Sequence, residues 1–512
     1  MKKIIITLIL LTPIGSFSEQ WHILGTRPMG MGGAFVAMAE GPLAQYWNPA
    51  GLAQVSSQNV SGVDIPVGVS LEMTGGIMAN ANEIGDLAEQ FSSIQSAQEG
   101  GTALDAKQVS AFVKTLTLLE DMNQSGKGIL LETAAGVNFK FSKISVSVNN
   151  FTTIGLNPYI DSTNISLDTD GGSIQGIDFT GVTTDASDFT TPEQTSAAAT
   201  IKSAIDTIGY AQLSAIFENL GTITDAQTLA NAIVSQALTA NLTDAQITAA
   251  ANTISEYAAD VAPIIQNVTS GNPYTENESN LSIAGGNFTE VAFGYGQQVD
   301  WLSGLSIGGN LKAINGRIVD TTFAFMSNSE TGDIFDDITD NAKSSWKPAL
   351  DVGFLWDVNQ KYSKWPMKPR FGLVVRNINS PKFDGPISGS YQLDRQIRFG
   401  LAFSPANFWH VAMDMDLTKN KTAVDGFNSR QLALGTEINL INKKSFNLPL
   451  RLGLSKNMAE SDSKLTYTAG TGLNFLYMHL DVSAGIGSDK TEIDGTKYPN
   501  KLEVAASFGL LF

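Results

Sequence analysis

The fold class this sequence predicts is an all-β transmembrane barrel of about fourteen antiparallel strands. Three observations predict it. Apolar residues alternate with polar or small ones in segment after segment, the two-residue period of a strand whose side chains point to opposite faces. Mean hydropathy is zero, as expected when outward apolar and inward polar residues average out. The links between alternating segments sort by parity into short and long, as the two rims of an outer-membrane barrel do.

At the start of the chain, Met1, Lys2 and Lys3 supply positive charge and Ile4 to Leu11 an uncharged apolar core. Ser16, Phe17 and Ser18 place small residues at alternate positions ahead of Glu19. Residues 1–18 therefore read as a secretory signal peptide cleaved after Ser18. The apolar run is too short for a membrane anchor, and Pro13 and Gly15 oppose a buried helix.

Gly25-Thr26-Arg27-Pro28-Met29-Gly30-Met31-Gly32-Gly33-Ala34-Phe35-Val36-Ala37 follows, and then Gln45-Tyr46-Trp47-Asn48-Pro49-Ala50-Gly51-Leu52. A dinucleotide fingerprint beginning at Gly30 requires glycine where Phe35 stands, and no strand precedes it. No Gly-Lys-Ser/Thr occurs here either. The glycines read instead as tight, backbone-close packing in a confined space, with Asn48-Pro49 setting a turn. These residues resemble the mature N-terminus of the FadL-like outer-membrane barrels. Within that group the chain most resembles the barrel family labelled "conjugal transfer protein TraF", distinct from the thioredoxin-like protein that shares the label and whose cysteines are missing here. The resemblance implies that residues 19–59 fold back as a plug inside the barrel, with Arg27, Gly30, Gly32, Gly33, Trp47, Asn48, Pro49 and Ala50 as its motif.

Residues 60–512 read as the barrel. Val63, Ile65, Val67, Val69, Leu71 and Met73 form the first apolar face. Further segments begin at Ile129, Ile144, Val291, Leu305, Leu350 and Phe371, then at Ile397, Val411, Leu432, Leu450, Leu465, Met478 and Leu502. The last runs Leu502, Val504, Ala506, Phe508, Leu510, Phe512 on one face, and Phe508, Leu510 and Phe512 form a terminal barrel signature. Ser142-Lys143, Pro405 to Asn407 and Leu476-Tyr477 are short links, whereas the long ones fall on the opposite parity. That sorting puts both termini on the periplasmic rim and the long loops outside. Glu437, Asn439, Asp414, Asp416, Arg398 and Arg451 are expected to face the lumen. Trp301, Trp346, Trp356, Trp365, Phe408, Trp409, Tyr467 and Tyr477 lie near strand ends, as interfacial girdles require.

Two insertions, 76–127 and 157–280, are expected to be helical and extracellular. Asn82 to Gln124 aligns Ile84, Leu87, Phe91 and Ile94 on one face, and Val109, Phe112, Leu116 and Leu119 on another. Thr195 to Val268 aligns Ile201, Ile205 and Ile208; Leu213, Ile216 and Leu220; and Ile247, Ile254, Tyr257 and Val261. Their stripes pack on one another and the rim, or form an apolar groove that captures cargo. Asp333, Asp336, Asp337 and Asp340 crowd one outward loop without calcium-loop spacing. Pro66 falls within the first strand, where it removes a ladder donor; it marks either a strand start or a kink in the wall.

The formal net charge of −18 argues against nucleic acid, which requires clustered Lys and Arg. Cysteine is absent, so there is no disulfide or thiolate site. His22, His410 and His479 lie far apart in sequence, and neither a metal site nor a cofactor is expected. No nucleophile elbow or His-Glu-x-x-His occurs, and no catalytic residues are expected. The resemblance implies an outer-membrane transporter or channel for hydrophobic small molecules such as long-chain fatty acids or hydrocarbons. The alternative is an outer-membrane scaffold of a secretion, surface-attachment or conjugation apparatus, with an envelope protein partner held by the helical insertions.

Overall fold

Hydrocarbon offers no partner to a backbone amide, so a strand that faces lipid has to bond to strands on both sides. The computed structural model meets this with one closed sheet. It describes residues 19–54, 61–77, 123–159, 182–216, 220–239, 241–270, 280–324, 343–385, 390–443, 445–493 and 496–512. The first seven barrel strands are β1 (Gly62–Thr74), β2 (Gly128–Phe141), β3 (Ile144–Tyr159), β4 (Asn280–Gln298), β5 (Leu305–Ala324), β6 (Lys343–Asp357) and β7 (Arg370–Arg376). The second seven are β8 (Gln396–Ala406), β9 (Trp409–Asp416), β10 (Gln431–Lys443), β11 (Phe446–Asn457), β12 (Thr466–Phe475), β13 (Met478–Gly487) and β14 (Lys501–Leu511). Successive strands pair antiparallel, and β14 returns to β1 with Gly62 opposite Leu511 and Leu71 opposite Leu502. Ser61 and Phe512 exchange backbone hydrogen bonds of 2.9 and 2.8 Å at the seam.

The faces follow the alternation. Leu502, Val504, Phe508, Leu510 and Phe512 are exposed on the outside of β14, whereas Glu503, Ala505 and Ser507 are buried inside. Asp414, Asp416, Arg398, Glu437 and Arg451 are likewise buried. Trp301, Trp365, Phe408 and Tyr477 are exposed beside the short turns. A closed antiparallel barrel with an apolar outer band and aromatic rims is an outer-membrane architecture. The short-turn rim carries the links 142–143, 407–408 and 476–477, together with the barrel termini.

One strand departs from the expected bounds. β4 begins at Asn280, well ahead of Val291, and its polarity reverses locally at Asn287–Thr289, between the outward Ile283 and Val291. Phe288 is buried inside, while the outward Asn287 bonds Asn150 of β3 at 2.9 Å and Thr152 at 2.7 Å. An apolar residue inside and an amide outside interrupt the alternation there, which hides the first part of the strand from a search for oily periodicity.

The segment 76–127 and the aspartates of residues 333–340 lie largely or wholly outside the described residues, as does the signal segment 1–18. The second insertion contains α-helices at Pro192–Ile208, Tyr210–Ile216, Ala226–Thr239 and Asp244–Ser270. Thr191 caps the first, its hydroxyl accepting from the amide of Gln194, with Pro192 at the first helical position. Ile201, Ile205, Ile208, Leu213, Leu229, Val234 and Ile247 bury one another in a shared core. Ile254 does not join it. Helix Asp244–Ser270 packs through Ala251, Ala258 and Ala262, whose small side chains allow close approach, and leaves Ile254 exposed.

The outer face yields a direct test. Leu452→Arg, on the exposed apolar side of β11, is expected to cost about 2–4 kcal/mol if it lies near the bilayer midplane. Equilibrium denaturant unfolding in lipid vesicles measures it.

Candidate functional site

The lumen is filled by residues 19–54, which run through short helices α1 (Thr26–Gly30) and α2 (Ala44–Trp47) and a 3₁₀ turn at Pro49–Ala53. Backbone geometry explains the composition of this segment. Gly32 and Gly33 have φ of 68° and 92°, a region that glycine enters without cost. A Cβ at Gly32 would lie 2.6 Å from the Leu454 carbonyl oxygen of β11, and one at Gly30 would lie 3.2 Å from Cα of Gly470 on β12. Asn48 ties the far end. Its Oδ1 accepts from the amide of Ala50 at 3.2 Å, and its Nδ2 donates to the carbonyls of Val36 at 3.2 Å and Phe354 at 3.0 Å. Pro49 starts the turn that follows, where its missing N–H costs nothing. Trp47 is fully buried and donates from Nε1 to the Leu24 carbonyl at 2.9 Å.

The wall is cut to receive this segment. Inward-facing glycines lie where any side chain would strike it: Gly308 against Pro49, Gly353 against Asn48, Gly372 against Val36, Gly435 against Met31 and Gly453 against Gly32. Nothing near these glycines in sequence marks them as a belt, because the partner lies hundreds of residues away. Polar anchors complete the fit. Both Phe35 and Val36 donate backbone N–H to Asp414 Oδ2 at 2.8 Å, and Asn310 Nδ2 donates to the Gln45 carbonyl at 2.8 Å.

Arg27 is the ionic hinge of the segment. It donates to Glu40 at 2.6 Å and to both oxygens of Glu437 at 2.8 and 2.9 Å, while Arg451 holds Glu437 at 2.7 Å and Asp481 at 2.7 Å. Burial opposes the Arg27 charge, but Glu437 and Glu40 more than offset it and raise its pKa. Two further guanidiniums lie under the aromatic layer: Arg376 sits 4.1 Å from the Tyr46 ring centroid and Arg398 4.5 Å from that of Trp21. Burial, then Glu290 and Glu132, push the Glu19 carboxyl well above the carboxylate range. Burial and Arg376 push His22 down to about 3, even though Glu132 lies 3.5 Å from its Nε2.

On the short-turn side the segment overlies a cavity of about 410 Å³ with a mixed lining, in which Arg27, Glu40, Asp64, Glu437 and His479 lie beside Phe35, Leu43 and Leu511. Asn439, Asn447 and Asn474 run along it as an amide ladder, with bonds of 2.9 and 3.1 Å. Among the described residues, no group of three or more His, Cys, Asp or Glu is arranged to hold a metal ion.

Pro66 is opposite Ser507 of β14. Towards β2 the register is the same on both sides of the proline, Asp64 opposite Asn138 and Val67 opposite Ala135, and the ladder lacks only the pairs at Ile65 and Pro66, as the missing proline N–H requires. Phe508, Leu510 and Phe512 are on the outer face beside this seam and take no part in the lumen.

Residues 45–416 match the family model described as "F plasmid transfer operon, TraF, protein". The chain belongs to that family. The match to the TraF model includes the Tyr46-Trp47-Asn48-Pro49 turn and begins after the glycine-rich stretch. No curated protein matches the chain. Among solved structures it is similar to "CymD monoaromatic hydrocarbon channel", at 10% identity over 97% of this chain and 99% of that one, with a TM-score of 0.41. It is similar also to the Ralstonia pickettii toluene transporter TbuX, at 9% identity over 95% and 98% of the two chains, with a TM-score of 0.41. A Pseudomonas aeruginosa FadL homologue is similar at 8% identity over 97% and 99%, with a TM-score of 0.37.

Two variants probe how this TraF-family chain holds its lumen. Gly453→Leu is expected to push residues 31–32 off the wall and open the lumen, read as a rise in single-channel conductance. For His22, an unfolded pKa near 6.5 and a folded value of about 3 mean its contribution is whole above 6.5 and lost as pH falls towards 3. Between pH 6.5 and 5 the native chain should therefore lose about 2 kcal/mol more than His22→Gln, by denaturant unfolding at each pH.

Proposed function

We propose that this protein is an outer-membrane transporter of the FadL-like type that takes up hydrophobic small molecules such as fatty acids or hydrocarbons. Residues 1–18 direct it to the periplasm, the long-loop rim faces the exterior, and residues 19–59 act as the plug. The observation that carries this reading is the combination of a filled lumen with a wall that lacks a ladder bond at Pro66. Straight passage leads past the Arg27–Glu437–Arg451–Asp481 ion pairs, which disfavour apolar cargo, whereas the missing ladder bond at Pro66 offers a lateral route to the bilayer. Arg27, Gly30, Gly32, Gly33, Trp47, Asn48, Pro49 and Ala50 hold the plug in register in this reading.

A second reading, an outer-membrane scaffold of a secretion, surface-attachment or conjugation apparatus, has its own support. The helical insertion has a self-contained core, as expected of a unit presented to a partner, and the family description names a transfer operon. A stoichiometric envelope protein recovered by affinity purification from membranes would favour it.

Uptake of a radiolabelled fatty acid or toluene by proteoliposomes tests the transporter. Pro66→Val, which restores the ladder donor, is expected to lower the rate by about an order of magnitude. A native rate no higher than that of an unrelated plugged barrel would reject the reading.

A further inference from the structure

The lumen is polar on most strands, but near the long-loop rim Phe288, Ile314, Ile318 and Ala349 all point inward and are buried. A hairpin in the link between β7 and β8 covers them. It pairs Lys382–Asp384 with Ser390–Gln392 as a two-stranded sheet separate from the barrel. Phe383, Tyr391 and Leu393 enter the cluster, and both the Phe383 and Tyr391 ring centroids lie 5.4 Å from that of Phe288. The wall is hollowed for Phe383. A Cβ at Gly316 would lie 2.5 Å from its ring.

The attachment of this hairpin differs from that of its neighbour. The hairpin of Asn420–Lys421 and Asn428–Ser429 is tied across the mouth, where Asp425 accepts from the amide of Gly126 at 2.7 Å and donates to Asn157 at 3.0 Å. The Phe383 hairpin is fixed at its base, where Ile378 donates to the Leu350 carbonyl at 2.9 Å and Asn379 to that of Pro348 at 2.8 Å. Asn377 and Ser380 there adopt φ of 51° and 45°. No ladder joins its strands to the barrel among the described residues. Among the described residues the contacts of Phe383, Tyr391 and Leu393 seat it on the wall, and an apolar solute can replace contacts of this kind.

We propose that Phe288, Ile314, Ile318, Ala349 and the hollow at Gly316 form a binding seat for a ring-sized apolar molecule, and that Phe383 is its built-in occupant, displaced when such a molecule enters. The seat deepens the uptake reading, of which it is the entry station, but binding is measured without transport.

The chain has no cysteine, so Lys382→Cys carries a single nitroxide label on the hairpin of the detergent-solubilised full chain. Toluene is expected to raise the mobile fraction of the spectrum saturably, and Gly316→Leu, which fills the hollow, to abolish the response. Phe383→Ala is expected to bind toluene about tenfold more tightly by calorimetry, since no occupant has to leave. Phe383→Leu, which retains an apolar occupant and guards against misfolding, should gain much less. A label unmoved by saturating toluene, or equal affinity in the native and Ala chains, overturns the proposal and leaves uptake standing. Seat binding without uptake in proteoliposomes would reject only the transporter.

Discussion

A peptide group in hydrocarbon has only other peptide groups to bond, and this requirement sets the shape of the whole chain. It forces β14 back onto β1 and puts apolar side chains outside. It also makes any missing ladder bond a local event with consequences. Pro66 is such an event, because proline has no N–H to give. The missing bond is on the β2 side, where the register nevertheless holds, while the pairing with β14 continues through the proline. One strand is therefore loosened on one edge and held on the other.

Inside the wall the problem is reversed. The lumen holds a folded segment, and its charges are buried away from bulk water. They are tolerated because they are paired: Arg398 with Asp416 at 2.6 Å, Lys312 with Asp351 at 3.1 Å, and Arg27 between two carboxylates. Aromatic rings over Arg376 and Arg398 add contact where a further carboxylate would add repulsion. The result is layered, with an apolar cluster near the mouth, ion pairs and arginine–ring stacks in the middle, and an amide-lined chamber at the short-turn end.

Much of this was legible in the sequence, and the physics says which parts. Strands facing lipid advertise themselves, so the runs at Val411 and Leu432 could be assigned to faces residue by residue. Link lengths gave the order of the rims. The inward partners were harder. Nothing local in Gly353 or Gly435 says that Asn48 or Met31 will lie against it, and Asp414 reads as a lumen carboxylate without revealing the two amides it accepts. The apolar cluster at Phe288 did leave a trace, since Asn287 and Thr289 flank it at outward parity. Reversed parity in the middle of a strand is the signal that was available and unused. Ile254 fits a helical stripe yet is exposed, because helix packing here runs through alanines that hydropathy patterns weigh lightly.

The contacts of Arg27 and Thr26 bear on how the molecule is made. Arg27 meets Glu437 across 410 residues of chain, and Thr26 meets Ser507 across 481. Such pairs form late, since a long loop has to close before either gives any return. The first folded stretch to be synthesised therefore waits for the final strand, and the cylinder has to zip shut around cargo it already carries. Maturation of this barrel is an act of enclosure, with the β1–β14 seam as its last stitch.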